Sequence, residues 1–192
     1  MNPWKQRLTK DLEPVLLAKD PRPAISRYHD LPFGIFVYPP EEEFAVRKEI
    51  GLLTTRLQQT GKRVTTVSLA DCLHEALQAE GLGSAALAEA EESSGLGLAV
   101  ETVFSVLSDY QRLDHLVARR VPEDAEPTRD IVLITRAGAL FPLYRTSALM
   151  EQLMGQLGVP AVLFYPGVTD GPAGLRFMGV LDAEHNYRPK IF

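Results

Sequence analysis

Three predicted strands of the chain are each followed by a loop rich in proline, glycine and charged residues. Guanidinium groups in such loops can bind an anion, unless nearby carboxylates neutralise them. Because the carboxyl ends of parallel strands meet at one edge of a sheet, where α/β proteins place their ligands, the three loops are expected to lie together. They form a candidate functional edge that comprises Tyr38, Pro39, Pro40 and Glu41; Arg136, Gly138, Pro142 and Arg145; and Pro166, Gly167, Asp170 and Gly171.

Two interpretations of this edge are open from the sequence. Proline, glycine and Asp-Gly are the residues that ordinary turns need, so the loops do not require a ligand. In that case Arg136 and Arg145 would form ion pairs with Glu41 and Asp170 and tie the loops together. If the arginines lack carboxylate partners, an anion site is favoured instead.

The loop after the first predicted strand argues against ATP binding in the manner of a P-loop protein. A phosphate loop needs glycines, free backbone N–H groups and a lysine. Residues 38–43 read Tyr-Pro-Pro-Glu-Glu-Glu, in which the prolines lack N–H groups and the carboxylates repel phosphate. The segment 81–86 matches Gly-x-Gly-x-x-Ala, but a helix precedes it, so it is interpreted as a helix break with an N-cap at Ser84.

The remaining reactive residues form no recognisable catalytic or metal-binding set. The four histidines are scattered, and no pair has the His-x-x-x-His spacing of a zinc site. The lone cysteine, Cys72, excludes an internal disulfide and is expected to be a small buried apolar residue. No Gly-x-Ser-x-Gly nucleophile elbow is present. We therefore expect no enzymatic activity, no metal and no cofactor.

Composition and charge indicate a globular protein that binds neither nucleic acid nor lipid. Apolar residues make up 45% of the 192 residues, and the net charge is −5. Both halves of the chain are mildly acidic and lack a basic stripe, so direct binding of nucleic acid or of a membrane surface is not expected. The chain has no apolar run of about 20 residues and no signal-peptide pattern at its N-terminus, which predicts a cytoplasmic protein.

Apolar runs alternate with amphipathic segments, which predicts an α/β fold in a single domain, residues 1–192. Such alternation implies a three-layer architecture with a mainly parallel sheet and flanking helices. Residues 1–32 are predicted to form an N-terminal helix and, from residue 20, a loop. Pro14 should bend or end that helix. Residues 70–120 are predicted to be a helical elaboration between the second and third strands. Strands are predicted at 33–38, 64–69, 130–135 and 160–165, helices at 4–19, about 40–60, 70–80, 84–92, 96–120 and 143–157, and a C-terminal antiparallel strand pair at 175–181 and 187–192.

The helix predicted before the fourth strand carries methionines beside its apolar stripe. Leu149, Leu153 and Leu157 form the stripe, while Met150 and Met154 lie partly off it. Methionine adapts to irregular surfaces and is enriched at protein interfaces. The two methionines are therefore either part of a wider buried stripe or a candidate partner face, and both interpretations stay open.

Five short motifs follow one another in an order and spacing typical of a known family. They are Phe36-Val-Tyr-Pro-Pro-Glu-Glu-Glu-Phe-Ala-Val-Arg47, Asp130-Ile-Val-Leu-Ile-Thr-Arg-Ala-Gly-Ala-Leu-Phe-Pro-Leu-Tyr-Arg145, Val162-Leu-Phe-Tyr-Pro-Gly167 with Asp170-Gly171, Phe177-Met-Gly179 and Asn186-Tyr-Arg188. In these motifs the chain resembles the BrxB family, a component of bacteriophage exclusion (BREX) defence systems. The resemblance extends over roughly residues 33–192 and adds Arg188 to the candidate edge.

The resemblance implies a non-enzymatic assembly subunit of a BREX anti-phage complex, with the phosphatase-like PglZ as the expected partner. It is compatible with a nucleotide-binding-like fold that lacks a phosphate loop. The second hypothesis, from the residues alone, is a degenerate nucleotide- or nucleic-acid-binding module that uses the Arg136/Arg145 edge. Arginines clustered without carboxylates would favour the second hypothesis, and neutralised arginines would favour the first.

Overall fold

A six-stranded sheet forms the centre of the structure. The structure is a computed structural model and describes residues 2–26, 32–171, 174–185 and 189–192. The strands are β1 Phe33–Tyr38, β2 Arg63–Ser68, β3 Asp130–Thr135, β4 Ala161–Asp170, β5 Gly174–Phe177 and β6 Lys190–Ile191. Their order is β2-β3-β4-β1-β6, and β5 is bonded to β4 outside this path. Among the described residues all strand pairings are parallel except that of β4 with β5. The predicted α/β class with a mainly parallel sheet is confirmed.

The central strands have the continuous apolar sequence that burial on both faces requires. β1 and β3 are buried along their whole length, as is the first part of β4. Parallel strands with helices on both faces read as unbroken apolar runs, which explains why β1 and β3 could be placed from sequence. β2 lies at the edge of the sheet, and Val67 is its one buried residue.

Helices connect and cover the strands. The chain begins with α1, which has three consecutive segments, Pro3–Arg7, Leu8–Leu12 and Glu13–Leu17, the middle one wound as a π-helix. The later helices are α2 Arg22–Ile25, α3 Glu43–Gln59, α4 Leu69–Ala79, α5 Ser84–Ser94, α6 Leu96–Ser105, α7 Leu113–Ala118 and α8 Thr146–Leu153. Short 3₁₀ turns lie at Pro40–Glu42 and Ala137–Leu140, and a π-helical turn, Val106–Tyr110, extends α6. No helix in the described ranges is long and apolar enough to cross a membrane.

Two apolar clusters on opposite faces of the sheet give the structure its three layers. Neighbouring residues of a strand point to opposite faces, so Ile35 and Phe36 enter different clusters. Helices α1 and α3 cover one face, and α4, α6, α7 and α8 cover the other. The first cluster includes Leu8, Leu12, Leu16, Val46, Leu53 and Leu57, and the second includes Cys72, Val103, Leu116, Leu149, Leu153 and Leu157.

The N-terminal helix continues past Pro14 rather than ending there. A proline inside a helix removes a backbone hydrogen bond and crowds the preceding turn. The π-helical segment before it ends at Leu12, so Pro14 lies in the first turn of the next α-helical segment, where proline is tolerated. The loop predicted from residue 20 is also corrected, because it contains α2.

The single long helix predicted at 96–120 is wrong, because it is interrupted at Gln111 and Arg112. These residues leave the helical conformation, with ψ angles of 67° and 122°. The interruption brings Arg112 to the buried carboxylate of Asp114, at 2.9 Å, and Gln156 donates to the same carboxylate at 2.6 Å. In a continuous helix, residues two apart do not face each other, so Asp114 would lose this partner.

The helix predicted at 143–157 is shorter than expected and comprises only α8. Met154 leaves the helical conformation with a ψ angle of 126°. Gly155 follows with a φ angle of +81°, in the left-handed region that glycine adopts easily at a helix end. Leu157 nevertheless stays buried, as its place in the apolar stripe predicts.

The C-terminal strands pair differently from the prediction. β5 is antiparallel to the second half of β4, with Gly167 opposite Phe177, and β6 is parallel to β1. β4 can turn from the parallel sheet into this ribbon because Gly167 has no side chain: a Cβ there would collide with the carbonyl oxygen of Arg176. The C-terminal antiparallel pair is therefore β4 with β5. Leu175 of β5 also forms an isolated antiparallel bridge with Glu184.

Candidate functional site

The carboxyl ends of β1, β3 and β4 meet at one edge of the sheet, as the ends of parallel strands must. Tyr38 lies opposite Pro166 at this edge. A shallow depression of about 260 Å³ opens there, lined by Pro40, Glu43, Arg47, Arg136, Gly138, Ala139, Pro166 and Met178. The structure thus brings together residues from all three predicted loops.

A larger groove adjoins this depression on the side of the sheet that α3 covers. This α3 groove has a volume of about 400 Å³ and lies between α3, the ends of β2 and β3, and the first turn of α4. Arg47 and Arg136 line both cavities. The α3 groove is lined by Arg47, Ile50, Gly51, Thr54, Thr66, Ser68, Asp71, Thr135 and Arg136.

The two arginines predicted at the edge have carboxylate partners, but not the predicted ones. Arg136 pairs with Asp71 of α4 at 3.1 Å. Arg145 pairs with Glu184 at 2.8 Å. In each pair at least one of the two side chains is more than half exposed to water. Such ion pairs restrain their side chains only weakly.

The carboxylates predicted to neutralise the edge lie elsewhere. Asp170 pairs with Arg176 at 2.9 Å, because the extension of β4 carries it away from the sheet edge into the β4–β5 ribbon. Glu41 is exposed in the 3₁₀ turn and forms no ion pair with another described residue. Arg188 lies outside the described residues.

The backbone of Arg136 is unusual for a residue with a side chain. Its φ and ψ angles are 59° and 36°, in the left-handed region, immediately after β3 ends. Such a conformation is unfavourable for residues other than glycine and persists where the surroundings impose it, often at functional sites. The bend starts the 3₁₀ turn Ala137–Leu140 and leaves the guanidinium group at the junction of the two cavities.

Tyr38 and Glu43 form a closed pair beneath the edge. The buried hydroxyl of Tyr38 donates a hydrogen bond to the Glu43 carboxylate. Burial, and then the hydrogen bond and charge of Glu43, raise the pKa of Tyr38 far above its ordinary value. The phenol therefore stays protonated at neutral pH and is unsuited to act as a base.

Sequence reasoning missed Arg47, which lies one helical turn after Glu43 in α3. It is the last residue of the motif 36–47 and is not among the predicted edge residues. Its position could have indicated a site residue, because Arg47 lies in the first turns of the helix that follows the carboxyl end of β1. The other predicted edge residues lie outside the cavities: Pro39 before the 3₁₀ turn, Gly167 within β4, and Pro142 and Gly171 exposed on the surface.

Comparison with known proteins assigns a family. The family model described as "BREX protein BrxB" matches residues 65–191, about two thirds of the chain. The chain belongs to the BrxB family. A "BREX protein BrxB" of Bacillus cereus (strain H3081.97) is 26% identical to it over 162 residues, which are 83% of this chain and 82% of the relative. No solved structure matches the chain.

The match to the BrxB family spans most of the sheet. It begins within β2 and ends within β6, so it includes Arg136 and Arg145 as well as helices α4 to α8. Arg47 and the 3₁₀ turn Pro40–Glu42 precede the matched range. The resemblance inferred from the five short motifs is confirmed.

Helices α5 and α6 of this BrxB-family chain contribute little to the core. We call the segment Ser84–Ser105 the acidic arm. None of the residues of α5 is buried, and α6 buries Val103 alone. Leu96 and Leu98 are 62% and 52% exposed, although leucine is usually buried.

The acidic arm lies in the most one-sided charge segment of the chain. No lysine or arginine occurs between Arg63 and Arg112. Each half of the chain is only mildly acidic, because the residues before and after this segment are comparatively basic. The acidic residues in it are Asp71, Glu75, Glu80, Glu89, Glu91, Glu92, Glu101 and Asp109.

The candidate partner face on α8 is corrected for Met150. Met150 is 4% exposed and belongs to the core cluster, while Met154 is half-buried at the helix end. The broader buried stripe is therefore the right interpretation for Met150. A charged residue introduced there would unfold the protein rather than test an interface.

Among the described residues, neither a metal-ligand cluster nor a reactive thiol accompanies the edge. Within the described ranges, no group of three or more histidine, cysteine, aspartate or glutamate residues is placed to hold a metal ion. Cys72 is buried, and burial raises the pKa of its thiol, so it carries little thiolate at neutral pH.

Proposed function

We propose that this protein is a non-enzymatic assembly subunit of a BREX anti-phage defence system. Its membership of the BrxB family supports a role in bacteriophage exclusion. The observation that carries the assembly role is the acidic arm, whose glutamates are exposed together with Leu96, Leu98 and Phe104. We further propose that residues 1–192 act as one cytoplasmic domain.

The acidic arm has the chemistry of a docking surface. Leu98, Glu101 and Phe104 follow one another at a spacing of three residues on one side of α6, and all are exposed. Exposed apolar side chains among charged ones are typical of protein-binding surfaces. The absence of lysine and arginine from 64–111 makes a basic partner surface with apolar anchors the best complement.

The contacts of the candidate edge favour assembly over catalysis. Arg145 is paired with Glu184, which is the outcome expected of a scaffold. Tyr38 is held protonated by burial and by Glu43, and the buried Cys72 is held as a thiol. None of these groups is poised as a nucleophile or base.

The partners are other BREX proteins, and family resemblance favours the phosphatase-like PglZ. The decisive experiment is co-expression of the tagged chain with PglZ of the same system, followed by affinity purification. Leu96→Ser with Leu98→Ser should reduce the PglZ that co-purifies by about tenfold or more, because two apolar anchors are lost. Raising the salt concentration should weaken the complex of the unmodified chain, since charge complementarity contributes to it.

A matched control is available on the opposite face of the sheet. Leu17 and Leu52 are also exposed leucines, at 38% and 47%, on α1 and α3. Leu17→Ser with Leu52→Ser should leave co-purification unchanged. Equal loss in both double variants would contradict docking through the arm, and an unmodified chain that fails to retain PglZ would contradict the choice of partner.

A further inference from the structure

The α3 groove contains two arginines whose charge is only weakly engaged. Among the described residues Arg47 forms no ion pair, and its guanidinium carbon lies 5.8 Å from the ring centroid of Phe44, itself 80% exposed. Arg136 pairs with Asp71, whose side chain is 68% exposed. A pair so open to water constrains its members little. Both guanidinium groups can therefore turn to a ligand.

Hydroxyl groups line the floor of the same groove. Leu133 belongs to the cluster under α3, so its parallel partner Thr66 faces α3 as well. Residues two apart share a face, which places the next pair, Ser68 and Thr135, beside Thr66. On the α3 face, the sheet thus changes from apolar to hydroxyl-bearing side chains where β2 and β3 end.

An unsatisfied hydroxyl on α3 adds a second polar feature. The Oγ1 atom of Thr54 is buried and has no hydrogen-bond partner within the described structure. Buried polar atoms nearly always have a partner, so this unpaired hydroxyl is an exception. Thr54 lines the α3 groove one turn after Ile50.

Gly51 keeps the groove open. Glycine is less favourable than alanine inside a helix, yet Gly51 lies in the middle of α3. A Cβ atom there would meet nothing within 4 Å, so packing does not require glycine at this position. The effect of the missing side chain is to leave space in the groove.

We propose that the α3 groove binds the phosphate group of a small phosphorylated molecule, with Arg47 and Arg136 as the anion-binding residues. Planar guanidinium groups donate paired hydrogen bonds to phosphate oxygens, and the hydroxyls of Thr66 and Ser68 can donate to others. The volume of about 400 Å³ suits a molecule the size of a nucleoside monophosphate rather than a phosphate ion alone. This binding is independent of the assembly role proposed above.

Replacement of Asp71 tests the proposal, because phosphate binding predicts a gain in affinity rather than a loss. Its carboxylate pairs with Arg136 in the groove and would be displaced by, and repel, a bound phosphate. Replacing it with asparagine removes the competitor. If the Arg136–Asp71 pair serves only to connect the end of β3 with α4, Asp71→Asn should not tighten the binding of a phosphate compound.

The test is isothermal titration of the full chain with AMP, inorganic phosphate and adenosine in a low-salt buffer. We expect AMP to bind and adenosine not to bind, with Arg47→Gln weakening AMP by about tenfold and Asp71→Asn tightening it several-fold. Tighter binding of AMP than of inorganic phosphate would identify a phosphate ester as the ligand, and equal affinities would contradict it. Arg145→Gln, at the same edge but outside both cavities, should leave the affinity unchanged.

Gly51→Leu provides a second test that does not depend on charge. The leucine fills the groove without meeting neighbouring atoms at its Cβ, so AMP binding should be lost while the thermal midpoint does not fall. Four results would overturn the proposal: no binding of AMP by the unmodified chain, AMP binding no tighter than that of inorganic phosphate or adenosine, no tightening by Asp71→Asn, or undiminished binding by Gly51→Leu.

Discussion

Asp130 is the buried carboxylate on which the start of β3 depends, and its replacement by asparagine should destabilise the fold. Its side chain is 1% exposed. One carboxylate oxygen accepts a hydrogen bond from Arg63 at the start of β2. The other accepts from the backbone N–H of Glu126 at 2.9 Å and from Arg129 at 3.1 Å. Asparagine has nearly the same shape but only one acceptor oxygen, so its NH₂ group must face a donor in either orientation.

The size of the effect follows from these contacts. Leaving a buried donor without an acceptor costs about 1–3 kcal/mol, and breaking a buried charge pair costs about 3–5 kcal/mol. Arg63 and Arg129 are more than one third exposed, so water compensates part of the loss. We therefore expect Asp130→Asn to lower the free energy of unfolding by about 3 kcal/mol. In urea, with a slope of about 2–3 kcal/mol per molar, the midpoint should fall by about 1 M.

Asp124 is the matched control, because it pairs with the same two arginines but is 71% exposed. Asp124→Asn should change the urea midpoint far less than Asp130→Asn, at an unchanged slope, measured by far-ultraviolet circular dichroism. Equal midpoints for the two variants would refute the argument that burial of the carboxylate, rather than the ion pair itself, sets the effect.

Acidification tests the same contacts without a second mutation. Burial alone would raise the pKa of Asp130, but the hydrogen bonds from Arg63, Glu126 and Arg129 outweigh it and lower the pKa. A carboxyl group with a lower pKa in the folded state adds stability above its unfolded pKa of about 3.9 and loses it as the pH falls through the folded pKa. The difference between the unmodified chain and Asp130→Asn should be full at neutral pH and shrink below about pH 4.

Three further predictions address the core and the expected absence of activity. Leu153 is fully buried, so Leu153→Ala should cost about 2–5 kcal/mol in chemical denaturation, and a loss below about 0.5 kcal/mol would mean that the face of α8 is misassigned. No ATP hydrolysis above the buffer rate should be detected in a phosphate-release assay, because the 3₁₀ turn Pro40–Glu42 replaces a phosphate loop. The isolated protein should not shift duplex DNA in a gel at about 150 mM salt, and sub-micromolar binding there would contradict the charge argument.

The strands could be predicted because their signal is local. β1 has no charged residue, and β3 contains the four-residue apolar run Ile131–Ile134; the structure places both strands at the predicted residues. The pairing of the C-terminal strands could not be predicted in this way. It depends on Gly167, which permits a close approach to Arg176, and on the free edge of β1, which accepts β6. Both are tertiary contacts between segments far apart in the chain.

The predicted helix boundaries are wrong where side-chain contacts override the helical periodicity of the sequence. The stripe from Val103 to Val117 is apolar throughout and predicts one helix. The buried Asp114 instead requires Arg112 and Gln156, and the helix breaks to supply the first of them. Similarly, the parallel topology predicts that the edge loops lie together, but the sequence does not predict which carboxylates pair with Arg136 and Arg145. Asp71 and Glu184 come from elements whose approach only the folded chain defines.

The two proposed surfaces lie on opposite faces of the sheet, and this separation makes them independently testable. The acidic arm packs, through Leu87 and Val103, against the cluster that α4 and α8 share. The α3 groove opens on the other face, under Arg47. Substitutions at distant sites without shared partners act additively. Arg47→Gln should therefore leave co-purification with PglZ unchanged, and Leu96→Ser with Leu98→Ser should leave AMP binding unchanged. A loss of both properties in either variant would mean that the two surfaces are coupled through the sheet.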